Sequence, residues 1–220
     1  MKKILCILLL AFSFNTIAQE KLTEGVVTSK MTLSSTNPAA QSQFDMIGEI
    51  LSTTYFKDNK TRSEVQSMMT GETTNIIDND EKKMLVYMNN QAGKVYAEST
   101  FDSSEDDSKN VTITKGEETK TVMGYECTKY NVVVENEGTE VKMNIFATDK
   151  ISAISQQTVT FGEEFKGFPM YMEIEMNQMG IDMTMTMEVT KIEPQTVSED
   201  KFDMTPPEGY KKVESLQQGM

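Results

Sequence analysis

From Glu24 onward, hydrophobic and polar residues alternate in short runs broken by turn-forming residues. A period of two places alternate side chains on opposite faces, so the pattern predicts antiparallel strands with one buried and one wet face. In the first run Val27, Met31 and Leu33 share one side, while Thr28, Lys30 and Thr32 share the other. Met84, Val86 and Met88 repeat the pattern, as do Val111 and Ile113, then Val141, Met143 and Ile145. Between the runs lie Lys57-Asp58-Asn59-Lys60, Asp78-Asn79-Asp80, Asn89-Asn90-Gln91-Ala92-Gly93, Gly116-Glu117-Glu118 and Asn136-Glu137-Gly138. Each supplies a turn former or a residue that tolerates positive φ. The spacing predicts about ten strands, joined mostly as hairpins.

Two segments break the period. Asn37-Pro38 has the form of a helix cap followed by proline in the first helical position, and Ala40, Phe44, Ile47 and Leu51 then recur at helical steps. Ile151, Ile154, Thr158, Phe161 and Phe165 step in the same way and stop near Gly167 and Pro169, although Thr158-Val159-Thr160 and Gly162 disfavour helix. The expected class is mainly β with an α+β character: one antiparallel sheet and a few short helices.

Methionine changes the picture, because 18 of 220 residues are methionine. Met170, Met172, Ile174 and Met176 alternate along one predicted strand, and Met183, Met185, Met187 and Val189 along the next, with Asn177-Gln178-Met179-Gly180 as the turn. That hairpin puts six methionines on one apolar surface. Three readings compete for it. The default is a core in which unbranched thioethers fill gaps. The second is an adaptable wall for an acyl chain or another apolar ligand. The third is a thioether site for Cu(I), which soft ligands select.

The first residues carry a different message. Lys2 and Lys3 precede the 11-residue apolar stretch Ile4 to Phe14, and small residues flank a cut between Ala18 and Gln19. This is the pattern of a cleavable signal peptide over residues 1–18, leaving 19–220 as one domain exported to the periplasm or, alternatively, outside the cell. The stretch is too short to span a bilayer as a helix, which takes about 20 residues. Cys6 has no small residue immediately before it, which argues against a lipid anchor. Loss of Lys2 and Lys3 takes the net charge from −13 to −15 and leaves Cys127 as the lone thiol. So acidic a chain repels nucleic acid, and a single cysteine permits no internal disulfide.

Catalysis finds little to work with. The chain has no histidine, which removes the usual Ser-His and Cys-His arrangements. Carboxylates are plentiful, but nothing in the spacing pairs two of them. Cys127 reads as a small buried hydrophobe in a strand. The acidic run Ser103 to Ser108 lacks the spacing of a calcium loop and reads as a solvated loop. No catalytic residue, metal site or cofactor is expected.

Several stretches together resemble a known family: Tyr55 to Glu64, Asn75-Ile76-Ile77-Asp78, Lys82-Lys83-Met84, Lys120 to Tyr130, and the closing Phe202 to Tyr210. They are similar to exported Gram-negative proteins known only as a domain of unknown function, with a strand pattern like that of the LolA/LolB lipoprotein-carrier superfamily. The resemblance implies a curved antiparallel half-barrel with one to three short helices on its concave side. It also favours a non-enzymatic periplasmic binding domain for a lipid, a lipoprotein acyl chain or another apolar ligand. Met170, Met172, Met176, Met183, Met185, Met187, Phe44, Ile47 and Leu51 are the candidate lining. The competing expectations are an envelope protein that contacts another protein without a small ligand and, with less support, a Cu(I)-handling protein.

Overall fold

Two runs of hairpins meet at the first strand. The structure, a computed structural model, describes residues 20–68, 71–91, 93–101, 111–136, 139–178 and 180–214. The signal-peptide reading, with Cys6, Ala18 and Gln19, and the acidic run Ser103 to Ser108 lie outside these residues. After β1 (Glu24–Ser35) and helix α1 (Pro38–Ile47) come β2 (Ile50–Lys57), β3 (Lys60–Ser67), β4 (Gly71–Asp78), β5 (Lys83–Asn90) and β6 (Gly93–Thr100). The second run comprises β7 (Val111–Val122), β8 (Tyr125–Asn136), β9 (Thr139–Thr148), β10 (Phe168–Gln178) and β11 (Ile181–Glu193). Helix α2 (Gln156–Phe161) lies between β9 and β10, and the short β12 (Lys211–Lys212) closes the series.

Among the described residues these strands form one open, curved sheet in the order β12-β6-β5-β4-β3-β2-β1-β11-β10-β9-β8-β7. Every pairing is antiparallel except β12 on β6. Expected turns form where their side chains can hold them. Asp78 Oδ1, for example, accepts from the backbone N–H groups of Asp80 and Glu81, both at 3.0 Å.

Three expectations need correction. Asn37 does cap α1, its Oδ1 accepting from the Ala39 and Ala40 N–H groups at 3.0 and 3.2 Å. The helix nevertheless ends at Ile47, because Gly48 takes a positive φ of 70°; Leu51 therefore lies in β2 rather than on the helix. The second helical segment shrinks to Gln156–Phe161 plus a 3₁₀ turn over Gly162–Glu164, while Ile151 and Ala153 enter the core as extended chain. Gly116-Glu117-Glu118 is not a turn but an irregularity inside β7, where the register to β8 shifts between Lys115 and Thr119.

The connection from β9 to β10 crosses one face of the sheet, here termed the inner face. The Ile154 N–H donates to Thr61 Oγ1 on β3 at 2.9 Å, and Phe161 and Phe165 pack among Tyr130, Val132, Ile145 and Met172 on β8 to β10. Gly167 returns the chain to the sheet at φ 100°, where a Cβ would lie 2.6 Å from the Thr148 carbonyl oxygen; only glycine fits this approach. The opposite, outer face of the first hairpin run is covered by the C-terminal segment. Val197 and Phe202 pack on Val26 and Tyr55, and Tyr210 meets Tyr87 edge-on at 5.5 Å. Arg62 clamps this segment by donating to the Tyr87 hydroxyl at 2.7 Å and to the Lys201 carbonyl at 3.3 Å.

Candidate ligand-binding face

Cross-strand register assembles the site. Directly opposed residues share a face, so pairings can be followed strand by strand. Ile50, Met31, Met187, Met172, Ile145 and Tyr130 form one continuous row from β2 to β8. Beside it, Leu33, Met185, Ile174, Met143, Val132 and Ile113 form another that reaches β7. Both rows lie on the inner face, and both are wholly apolar apart from the Tyr130 hydroxyl. One position along, Thr32, Thr186, Glu173, Asn144, Asn131 and Thr114 make a row on the outer face in which every residue is polar.

The inner face is partly covered. Phe165 is buried against Tyr130 at 4.9 Å between ring centres and against Phe161 at 5.9 Å, sealing Val132, Ile145 and Met172 beneath them. Met31, Leu33, Met143, Ile174, Met183, Met185 and Met187 remain half-buried. Tertiary packing has therefore closed the middle of the apolar surface and left its flank open. Ordinary antiparallel sheets turn one face to a core and one to water; here part of the core-type face is still in contact with water.

Charge sharpens this contrast. The inner-face positions of β2 to β6, followed through the register from Ile50, Ser52, Thr54 and Phe56, hold no Asp, Glu, Lys or Arg. Lys115, opposite Tyr130, stands at the far edge of the other half. On the outer face, Lys30, Glu188, Tyr171, Phe146 and Lys129 follow one another, and Lys120 Nζ sits 3.3 Å from the Tyr171 ring centre. Burial first, and the Glu173 carboxylate that receives the Tyr171 hydroxyl second, hold that hydroxyl above its ordinary pKa.

The inner face also changes character along its width. Across β2 to β4 it carries Ser52, Ser63, Thr73 and Asn75 among Ile50, Val65 and Ile77. Thr54 and Ser63 satisfy one another through their hydroxyls at 3.0 Å. Asn75 Oδ1 is buried without a hydrogen-bond partner among the described residues, as is Ser152 Oγ in the crossing connection. An unpaired buried acceptor costs about 1–3 kcal/mol, so it calls for a reason.

The candidate lining residues separate into three groups. Met172, Met176, Met183, Met185 and Met187 share the inner face as the alternation predicted, with Met176 directly opposite Met183. Met170 lies beside the irregularity in the β9–β10 register and is fully buried with Val27, Phe56 and Val189; it is core, not wall. Leu51 is cross-strand from Lys30 and Gln66 on the outer face and 55% exposed, so it also leaves the lining. Phe44 and Ile47 are half-buried on α1, which packs along β1. Sequence reading missed Met31, Leu33 and Ile50 as partners of the hairpin. The alternation of Met31 and Leu33 was visible, but only register shows which strand lies beside which.

Cys127 is fully buried, its Sγ–H directed at the Tyr125 carbonyl at 3.4 Å. Loss of solvent is the main cause that pushes its pKa up to about 11. The native thiol is therefore expected to resist an alkylating reagent at pH 8 and to react once the chain is unfolded; rapid labelling of the native chain would contradict this burial. Because the folded pKa exceeds the unfolded one, the folded state retains the proton longer, and stability falls as pH rises from about 9 towards 11. Below pH 9 this contribution is fully present.

No group of three or more His, Cys, Asp or Glu residues is placed to hold a metal ion among the described residues. No helix among them is long and apolar enough to cross a membrane. Met172 and Met187 belong to the apolar cluster with Tyr130 and Phe165, so their thioethers have hydrocarbon neighbours.

The fold and this face together define the class: an open, curved antiparallel sheet with short helices and a half-covered, charge-poor inner surface. A family model described as a domain of unknown function, DUF4412, matches residues 27–210, and the chain belongs to that family. No curated protein matches it.

Proposed function

We propose that the chain is an exported, non-enzymatic binding domain that holds a lipid, a lipoprotein acyl chain or a similar apolar ligand against its inner face. The observation that carries this reading is the pair of apolar rows crossing from β1 to β8 and β7, half-covered, in a chain of which 25% of residues are charged. Unbranched methionine side chains can repack around chains of different length and bend. The resemblance of the strand pattern to the LolA/LolB carriers supports the same reading, as does an apparent signal peptide that would deliver the domain to an aqueous compartment between membranes.

Magnitudes are adequate for such a role. Each methylene removed from water contributes about 0.8 kcal/mol, so roughly ten buried methylenes provide about 8 kcal/mol before ordering costs. That gross figure corresponds to a dissociation constant of about 1 μM. Native mass spectrometry of the mature chain, purified without detergent, tests the idea. The expected result is a population carrying added mass that organic extraction releases as an acyl lipid. A single apo mass that stays unchanged after incubation with monoacylglycerol vesicles would sink it.

A further inference from the structure

The inner face has two chemistries side by side, and a purely apolar ligand uses only one of them. Across β7 to β11 and β1 its rows are mainly aliphatic and thioether; across β2 to β4 they include Ser52, Ser63, Thr73 and Asn75, before β5 returns to Met84, Val86 and Met88. Asn75 lies opposite Ser63 on one side and Val86 on the other. Its amide oxygen is buried with no donor among the described residues, although the residue as a whole is only half-buried. The face offers this half of a ligand an acceptor and hydroxyls, and no Lys or Arg of β2 to β6 shares it.

From this juxtaposition we infer that the ligand is a neutral amphiphile: an acyl chain on the methionine half joined to an uncharged head whose hydroxyl or amide N–H donates to Asn75 Oδ1 once that half-buried side chain turns its oxygen out to the face. The inference rests on the binding function proposed above and specifies its ligand class. A free carboxylate or a phosphate head supplies only acceptors at neutral pH and would enter this half with no Lys or Arg of β2 to β6 beside it, which is costly in a poorly hydrated site. A simple ester has no donor. A hydroxyl or amide head satisfies Asn75 and can exchange hydrogen bonds with its serine and threonine neighbours.

Displacement of the apolar fluorophore N-phenyl-naphthylamine from the mature chain tests this with three competitors sharing one acyl chain: monooleoylglycerol, oleate and methyl oleate. Monooleoylglycerol should displace the dye at about tenfold lower concentration than either of the others, a difference of about 1.4 kcal/mol. Asn75→Leu should erase that preference, raising the concentration of monooleoylglycerol needed for displacement to that of methyl oleate. Thr73→Val, which nearly preserves side-chain shape, should reduce the preference and provides a second reading should Asn75→Leu fold poorly. Equal displacement by all three competitors, with the dye bound, overturns this inference and leaves the binding function standing. Failure of the chain to bind the dye or any competitor overturns both.

Discussion

Met185→Asp should weaken capture of an apolar fluorophore about a hundredfold while the sheet stays folded. Met185 lies between Leu33 and Ile174 in the row that crosses six strands, and it is half-buried. A carboxylate there can remain hydrated while the face is empty, so folding loses little. Covering the face with hydrocarbon would strand that charge without a partner, and the penalty falls on binding. Met185→Leu keeps volume and apolarity, and should leave affinity within about threefold, because swaps of this kind cost little. Fluorescence titration gives the affinities and circular dichroism monitors the fold. Equal dye affinity in the aspartate variant and the parent would place the ligand elsewhere.

Phe165→Ala should produce the larger loss of stability, about 3–5 kcal/mol, as expected for deleting a buried aromatic side chain. Phe165 is almost fully buried and joins the crossing connection to the sheet through Tyr130 and Phe161. For a chain of this size the midpoint of thermal unfolding falls by about 2–4 °C per kcal/mol, giving a drop on the order of 10 °C. The variant should also bind more of a hydrophobic dye, since Val132, Ile145 and Met172 lose their cover. A melting temperature within a few degrees of the parent would show that the connection is held by other contacts.

Much of the sheet was legible because its inner rows are apolar where its outer rows are polar. The sets read from alternation, Val27 with Met31 and Leu33, Met84 with Val86 and Met88, Val111 with Ile113, and Val141 with Met143 and Ile145, all fall on the inner face. The β2 to β4 part of that face was not legible, since Ser52, Ser63, Thr73 and Asn75 give no hydrophobic contrast with the polar side of their strands. Helix steps misled at both segments. Gly48 ends α1 before Leu51, and Ile151, bridged in parallel to Leu22, and Ala153 join the core without forming a helical stripe. The outer-face packing of Val197, Phe202 and Tyr210 was hidden too, because a segment with little regular structure carries no period to read.

The strand order bears on how the molecule must assemble. β2 to β6 and β7 to β11 are each built from neighbours in sequence, and all but the β9–β10 pair are hairpins of the kind that close within microseconds. The seam between them joins the first strand to the eleventh, with Val26 opposite Glu193, so it must wait until nearly the whole chain is available. Until that seam closes, Met31 and Leu33 stand apart from Met187 and Met185, and the greasiest surface of each half is uncovered. The slow step expected in folding is therefore the step that joins the two halves of the apolar inner face, and the interval before it is when the chain is most vulnerable to self-association.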